Sequence, residues 1–230
     1  SERGKFFALK VGEPTGMNPF QMEPTQQNIN FVTDLFIRLV TGRGREIAQR
    51  QQSELESAVQ NVFTLPKKQR RASSLIEYMN RADPDGLAKK LARWVGDGQM
   101  AWLFDNEEDT IDFSRRVTGF NIKEFIDNDE VRTVTMMYLF HRMTEIDDGR
   151  RLRVDIGEFW KALDDDYFSQ WVKAFLNTKR KDNAMFVGET QSPEAVVEST
   201  IAHTIIGQTA TKLFLWNAVA TEETYMDKFG

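Results

Sequence analysis

Two short apolar runs in this 230-residue chain end in side chains able to act on a phosphate. In the first, Leu152, Val154 and Ile156 lead to Glu158; in the second, Ala184 to Val187 lead to Thr190, Gln191 and Ser192. Runs of this length and composition read as buried strands. Open parallel sheets bind their ligands outside the carboxyl ends of such strands. A carboxylate in that place takes a proton from a water attacking phosphorus in line. An amide beside it donates to a phosphate oxygen and accepts from water at the same time. Glu158 as base and Gln191 as phosphate sensor is the pattern of a nucleoside triphosphatase. Each residue also has an ordinary use: the helix dipole favours a Glu at a helix N-terminus, and Ser192-Pro193 reads as a helix cap.

Three further groups belong to the same chemistry. Asp155 lies on the first strand, within reach of a magnesium-bound water or of a cap on a neighbouring element. Lys179, Arg180 and Lys181 close a helix, where basic side chains suit the dipole. They are also placed to meet a phosphate on a neighbouring subunit, as an arginine finger does. His141 and His203 fall in apolar helical settings and read as packed side chains. The phosphate-cradling pattern G-x-x-x-x-G-K-[ST] does not occur; GRGRE at 42–46 lacks its length and its Lys-Thr ending.

The elements that must position these residues follow from periodicity. Residues 5–11 and 117–122 read as strands, the first followed by a Gly- and Pro-rich loop in which Phe20 and Met22 plug the core. Ile29, Val32, Leu35, Phe36 and Leu39 share one helical face, with Thr25 as N-cap and Gly42 and Gly44 as stop. Three more helices are expected over 45–63, 69–81 and 86–95, the last opened by Asp83-Pro84. Residues 99–104 (QMAWLF) read as a strand or an apolar plug, and 128–146 as a strong helix. The order then becomes regular: strand 151–156, helix 159–180, strand 184–190, helix 194–208, strand 211–215, helix 221–228. Alternation of this kind implies a parallel sheet with crossover helices.

Bulk properties narrow the function classes. The chain is 40% hydrophobic and 28% charged, ordinary for a globular protein. No apolar run approaches the roughly 20 residues that span a bilayer. The absence of cysteine excludes disulfides and thiolate metal sites. A net charge of −5 gives no overall nucleic-acid footprint. The start, SERGKFFALKVGE, carries no targeting pattern and no initiator Met, and reads as a cut within a longer protein.

The segments ALKVGEPTGMNPFQ, ARWVGDGQMAWLFDN, MYLFHRM, DGRR, GEFWKALDD, KRKDN, ETQSPEAV and IAHTIIGQTATKLFLWN together resemble the VirB-type transport ATPases of bacterial type IV secretion systems. They cover nearly the whole chain in family order, and GEFWKAL with TQSPE is the most specific combination. The resemblance implies an α/β fold: a RecA-like P-loop NTPase with a mostly parallel sheet flanked by helices. It implies a core formed by 1–25 and 99–230, with an all-helical insertion at about 26–98. Glu158 matches the family's Walker B glutamate, Gln191 its phosphate-sensing glutamine, and Lys179 to Lys181 its basic motif near the subunit boundary. Arg180 would be the trans-acting catalytic cation, with Lys179, Lys181 and Ser192 on the phosphates. ATP and Mg2+ are the implied cofactors. Gly157 stands where the family has Asp, leaving Asp155 as the metal candidate.

The family's phosphate loop is expected before residue 1, so the chain by itself is expected not to cycle ATP. Implied partners are further copies of the chain, as a hexamer or dimer, other secretion components at the cytoplasmic face of the inner membrane, and a DNA substrate. Two other readings keep the fold: a non-catalytic assembly domain, and a DNA-pumping coupling ATPase, which the acidic balance disfavours.

Overall fold

The computed structural model describes residues 4–42, 46–146, 151–178, 183–216 and 223–229. Two compact units divide the chain, Ser1–Ile146 and Asp147–Gly230.

In the first unit, β1 (Gly4–Ala8) pairs in parallel with β2 (Val117–Asn121). Phe7 stands opposite Phe120 in the register, and their rings stack at 5.2 Å. The Gly- and Pro-rich loop after β1 is a plug, as its sequence predicts: Phe20 is fully buried and Met22 nearly so. Three helices follow in the same unit, α1 (Gln26–Thr41), α2 (Gln49–Thr64) and α3 (Leu87–Leu91). The Thr25 side chain accepts from Asn28 N–H at the head of α1, and Gly42 closes it at φ 64°, a left-handed position that Gly adopts without strain. The expected helix over 69–81 is instead a pair of 3-10 turns, Lys67–Gln69 and Ala72–Tyr78. Asp83 does not cap α3. Its carboxylate accepts from Asp85 N–H in a local turn, and the helix begins three residues after Pro84.

Residues 99–104 form turns rather than a strand, with Leu103 and Phe104 sealed in the core. Asp105 follows, buried, and its carboxylate accepts from Ser73 N–H (2.8 Å), Gly96 N–H (2.7 Å) and Arg71 Nε (3.4 Å). Asn18, also buried, donates to the carbonyls of Arg70 (2.9 Å) and Asn106 (2.7 Å). These two side chains serve the backbone polar groups that irregular structure leaves without ladder partners.

A single helical turn, α4 (Lys123–Ile126), leads to α5 (Asp129–Glu145), whose residues 131–141 are all buried. His141 is packed, as its apolar setting predicts. Its ring lies flat on Phe31 of α1 at 3.7 Å, and Nε2 bonds Asn28 Oδ1 at 2.7 Å. Tyr138 and Arg142 both bond Asp109, and Arg142 pairs with Glu145 at 2.9 Å.

The second unit is built on β3 (Leu152–Ile156) and β4 (Ala184–Gly188), parallel and in register from Leu152↔Ala184 to Ile156↔Gly188. The connection contains α6 (Asp166–Thr178), so β3-α6-β4 is the expected alternating unit. The helix predicted over 159–180 is broken. A 3-10 turn at Phe159–Ala162 comes first, and the buried Asp165 then starts α6 by accepting from Phe168 N–H at 3.1 Å. The helix predicted over 194–208 is also two, α7 (Pro193–Glu198) and α8 (Ala202–Gln208), parted by the extended Ser199.

His203 on α8 is exposed, contrary to its expected packing. The strand predicted over 211–215 does not form: no ladder among the described residues pairs with it, and an apolar run without a partner edge is only an extended segment. Leu213 and Leu215 are exposed, while Phe214 packs edge-on against Tyr225 (4.9 Å) and Phe229 (5.4 Å). The C-terminal helix is one π-type turn, Glu223–Lys228.

Candidate active site

The parallel register brings the carboxyl ends of β3 and β4 side by side. Two further bonds extend the ladder past both strands: Glu189 N–H to Ile156 O (3.0 Å) and Phe159 N–H to Glu189 O (3.1 Å). Residues 157–159 are thereby laid against 189–191. At Glu158 the backbone turns into the left-handed region, φ 48° and ψ 36°. A residue with a Cβ holds this conformation at a cost of about 1–2 kcal/mol, so the surrounding structure must impose it.

Phe159 supplies that constraint. It is buried against Gly188, where an added Cβ would lie 2.9 Å from the Phe159 ring. Phe186 meets the same ring edge-on at 6.0 Å. Gly188 is the last residue of β4, and the notch it leaves seats the aromatic plug that follows Glu158.

Glu158 and Gln191, predicted from separate strand ends, meet. Gln191 Nε2 lies 3.4 Å from Glu158 Oε1, a long hydrogen bond between two partly exposed side chains. The other carboxylate oxygen, Oε2, receives Lys161 Nζ at 2.9 Å. Ser192 caps α7 by accepting from Ala195 N–H at 3.4 Å, with Pro193 at the first helical position. Thr190 Oγ1 accepts from Ser192 N–H at 2.9 Å and holds the turn between Gln191 and the helix.

Asp155 is engaged elsewhere on β3. Both its oxygens are taken by Arg153, with contacts of 2.6, 2.8 and 3.0 Å, and this carboxylate raises the Arg153 pKa further. Gly157 is not required sterically: a Cβ there would meet only Glu189 Oε2, at 3.9 Å. Among the described residues, no three acidic or His side chains form a group able to hold a metal ion. A magnesium ion at a nucleotide site is held by one or two carboxylates together with substrate phosphates and water, and the candidate carboxylate here, Asp155, is paired with Arg153. Lys179, Arg180 and Lys181 lie outside the described residues.

Sequence reasoning missed Lys161 and Gly188. The Glu158–Lys161 spacing of three was visible, but spacing alone does not say that the chain turns between them. Gly188 gave no signal, since its role depends on where Phe159 lands.

The family model of the TraG P-loop domain matches residues 2–230. The chain is 38% identical over 227 residues to the type IV secretion system protein VirB4 of Bartonella henselae, covering 98% of this chain and 29% of that protein. It is 37% identical over 238 residues to VirB4 of Brucella suis. With the type IV secretion system protein PtlC of Bordetella pertussis it shares 35% identity over 235 residues, 98% of this chain and 28% of that protein. The chain thus spans under a third of the length of these relatives. The solved structure of VirB4 from Thermoanaerobacter pseudethanolicus superposes with a TM-score of 0.66 over 90% of this chain and 62% of that one. Their sequence identity is 14%, so this likeness speaks for the fold. No helix among the described residues is long and apolar enough to cross a membrane. The resemblance drawn from GEFWKAL and TQSPE is borne out: the chain belongs to the TraG P-loop domain family.

Proposed function

We propose that this chain forms the water-activating and phosphate-sensing part of an ATPase that energises type IV secretion. The contact between Gln191 and Glu158 at adjoining strand ends carries this reading, because it joins a base and an amide where a parallel sheet presents them. Glu158 accepts the proton of the attacking water, and the Gln191 amide bridges that water and the terminal phosphate. Completing the site needs a phosphate-cradling loop, and the pattern G-x-x-x-x-G-K-[ST] does not occur in these 230 residues. Arg180, with Lys179 and Lys181 on the phosphates, is assigned the cation that reaches a neighbouring subunit in a dimer or hexamer. Asp155 would serve a magnesium ion only by exchanging Arg153 for it. The setting is the cytoplasmic face of the inner membrane among other secretion components.

The test is phosphate release by the full-length natural protein carrying this chain, with Gln191→Ala beside wild type. Loss of the amide is expected to lower kcat by about 100- to 1,000-fold with ATP still bound, the scale of one transition-state hydrogen-bond donor. Unchanged kcat would contradict the role of Gln191. A second reading, a non-catalytic assembly domain, is favoured by the engagement of Asp155 with Arg153 and by Gly157. A DNA-pumping role is disfavoured by the net charge of −5.

A further inference from the structure

We infer that Lys161 is a positioning residue for the Glu158 carboxylate; this inference rests on the reading of Glu158 as the base. Three observations carry it. The turn after Glu158 is 3-10, and Lys161 N–H bonds Glu158 O at 3.1 Å, which brings Lys161 back beside Glu158. Lys161 Nζ lies 2.9 Å from Glu158 Oε2, while Oε1 faces Gln191. The carboxylate is thus gripped at both oxygens, one by a cation and one by the amide. The Lys161 ammonium also lies 5.9 Å from the Trp160 ring.

Stability does not explain the pair. Its side chains are 30% and 44% exposed, and such pairs contribute between zero and about 1 kcal/mol. What the pair does change is freedom. A Glu has three side-chain torsions, and a base has to present its lone pair within a few tenths of an ångström of the attacking water. Lys161 restrains the carboxylate at one oxygen and Gln191 at the other. The 3-10 segment that carries Lys161 is anchored by Phe159, which sits in the Gly188 notch.

The experiment compares Lys161→Met, Lys161→Arg and Glu158→Gln in the full-length natural protein, measuring kcat and KM for ATP. Met keeps the stem and removes the charge; Arg keeps the charge with a different reach. Lys161→Met is expected to lower kcat by on the order of 10- to 100-fold, the cost of a misplaced catalytic group, with KM within about twofold of wild type. Lys161→Arg is expected to recover most of that loss. A Lys161→Met variant with wild-type kcat, where Glu158→Gln abolishes turnover, would overturn the positioning role and leave the base in place. A rise in KM at unchanged kcat would overturn it too, assigning Lys161 to the nucleotide. Turnover surviving in Glu158→Gln would instead remove the base, and this inference with it.

Discussion

Glu158 concentrates the demands on this site in one residue. It occupies a left-handed backbone position that Gly would hold without strain, and it keeps a Cβ there. Glu158→Gly is therefore expected to leave thermal stability unchanged or raise it by up to about 1 kcal/mol, since strain relief outweighs the added chain entropy and the lost surface pair. The same variant should have no turnover. A melting temperature several degrees below wild type would show that the carboxylate is kept for the fold. Gly157 makes the opposite test. A Cβ there meets nothing nearer than 3.9 Å, so Gly157→Asp is expected to melt within about 0.5 kcal/mol of wild type. A large loss would mean that the glycine serves the turn itself.

The elements around Glu158 work by packing. Gly188→Ala would drive a methyl group to within 2.9 Å of the Phe159 and Phe186 rings. Overpacking of this kind costs about 1–3 kcal/mol and displaces the plug that fixes the Glu158 turn. The variant is expected to lose stability and turnover together, whereas Glu158→Gly loses turnover alone. Denaturant melts paired with phosphate-release assays separate the two.

The legibility of the sequence follows the same division. Glu158 and Gln191 could be read because each follows an apolar run, and strand ends are where a parallel sheet exposes polar groups. The break at Asp165 could not. Three consecutive aspartates look like a solvated helix face, and only the burial of one of them makes it a cap. The run at 211–215 has the composition of a strand, yet a strand is a relation between two segments, and composition states only one side of it. The buried pair Asn18 and Asp105 was equally hidden. Most of their partners are backbone groups far along the chain, such as the Arg70 carbonyl for Asn18 and Ser73 N–H for Asp105, which no local pattern names.

At the scale of the whole molecule, the first unit carries a buried polar cluster that ties α1, α5 and the 105–110 segment together. His141 lies at its centre, packed on Phe31, bonded to Asn28 and near the Glu145 carboxylate. Burial lowers its pKa below the ordinary 6.5, outweighing the opposing pull of Glu145. The unfolded chain then binds a proton more readily than the folded one. The His141 contribution is accordingly full above about pH 6.5 and is lost as pH falls from there toward the folded pKa. Melting temperature is expected to fall between pH 7.5 and 5.5, and His141→Gln, which cannot take the proton, should reduce that slope. An equal slope in both proteins would place the acid sensitivity in other groups.

The central claim is that Glu158 activates water for ATP hydrolysis, and one assay meets it directly. ATP turnover by the full-length natural protein carrying this chain is measured at saturating ATP, wild type beside Glu158→Gln, with nucleotide binding followed in parallel. The account predicts that the variant binds ATP as wild type does and loses turnover by about 100-fold or more, the scale of a missing general base. Equal turnover in the two proteins, or none in either with ATP bound, would contradict it.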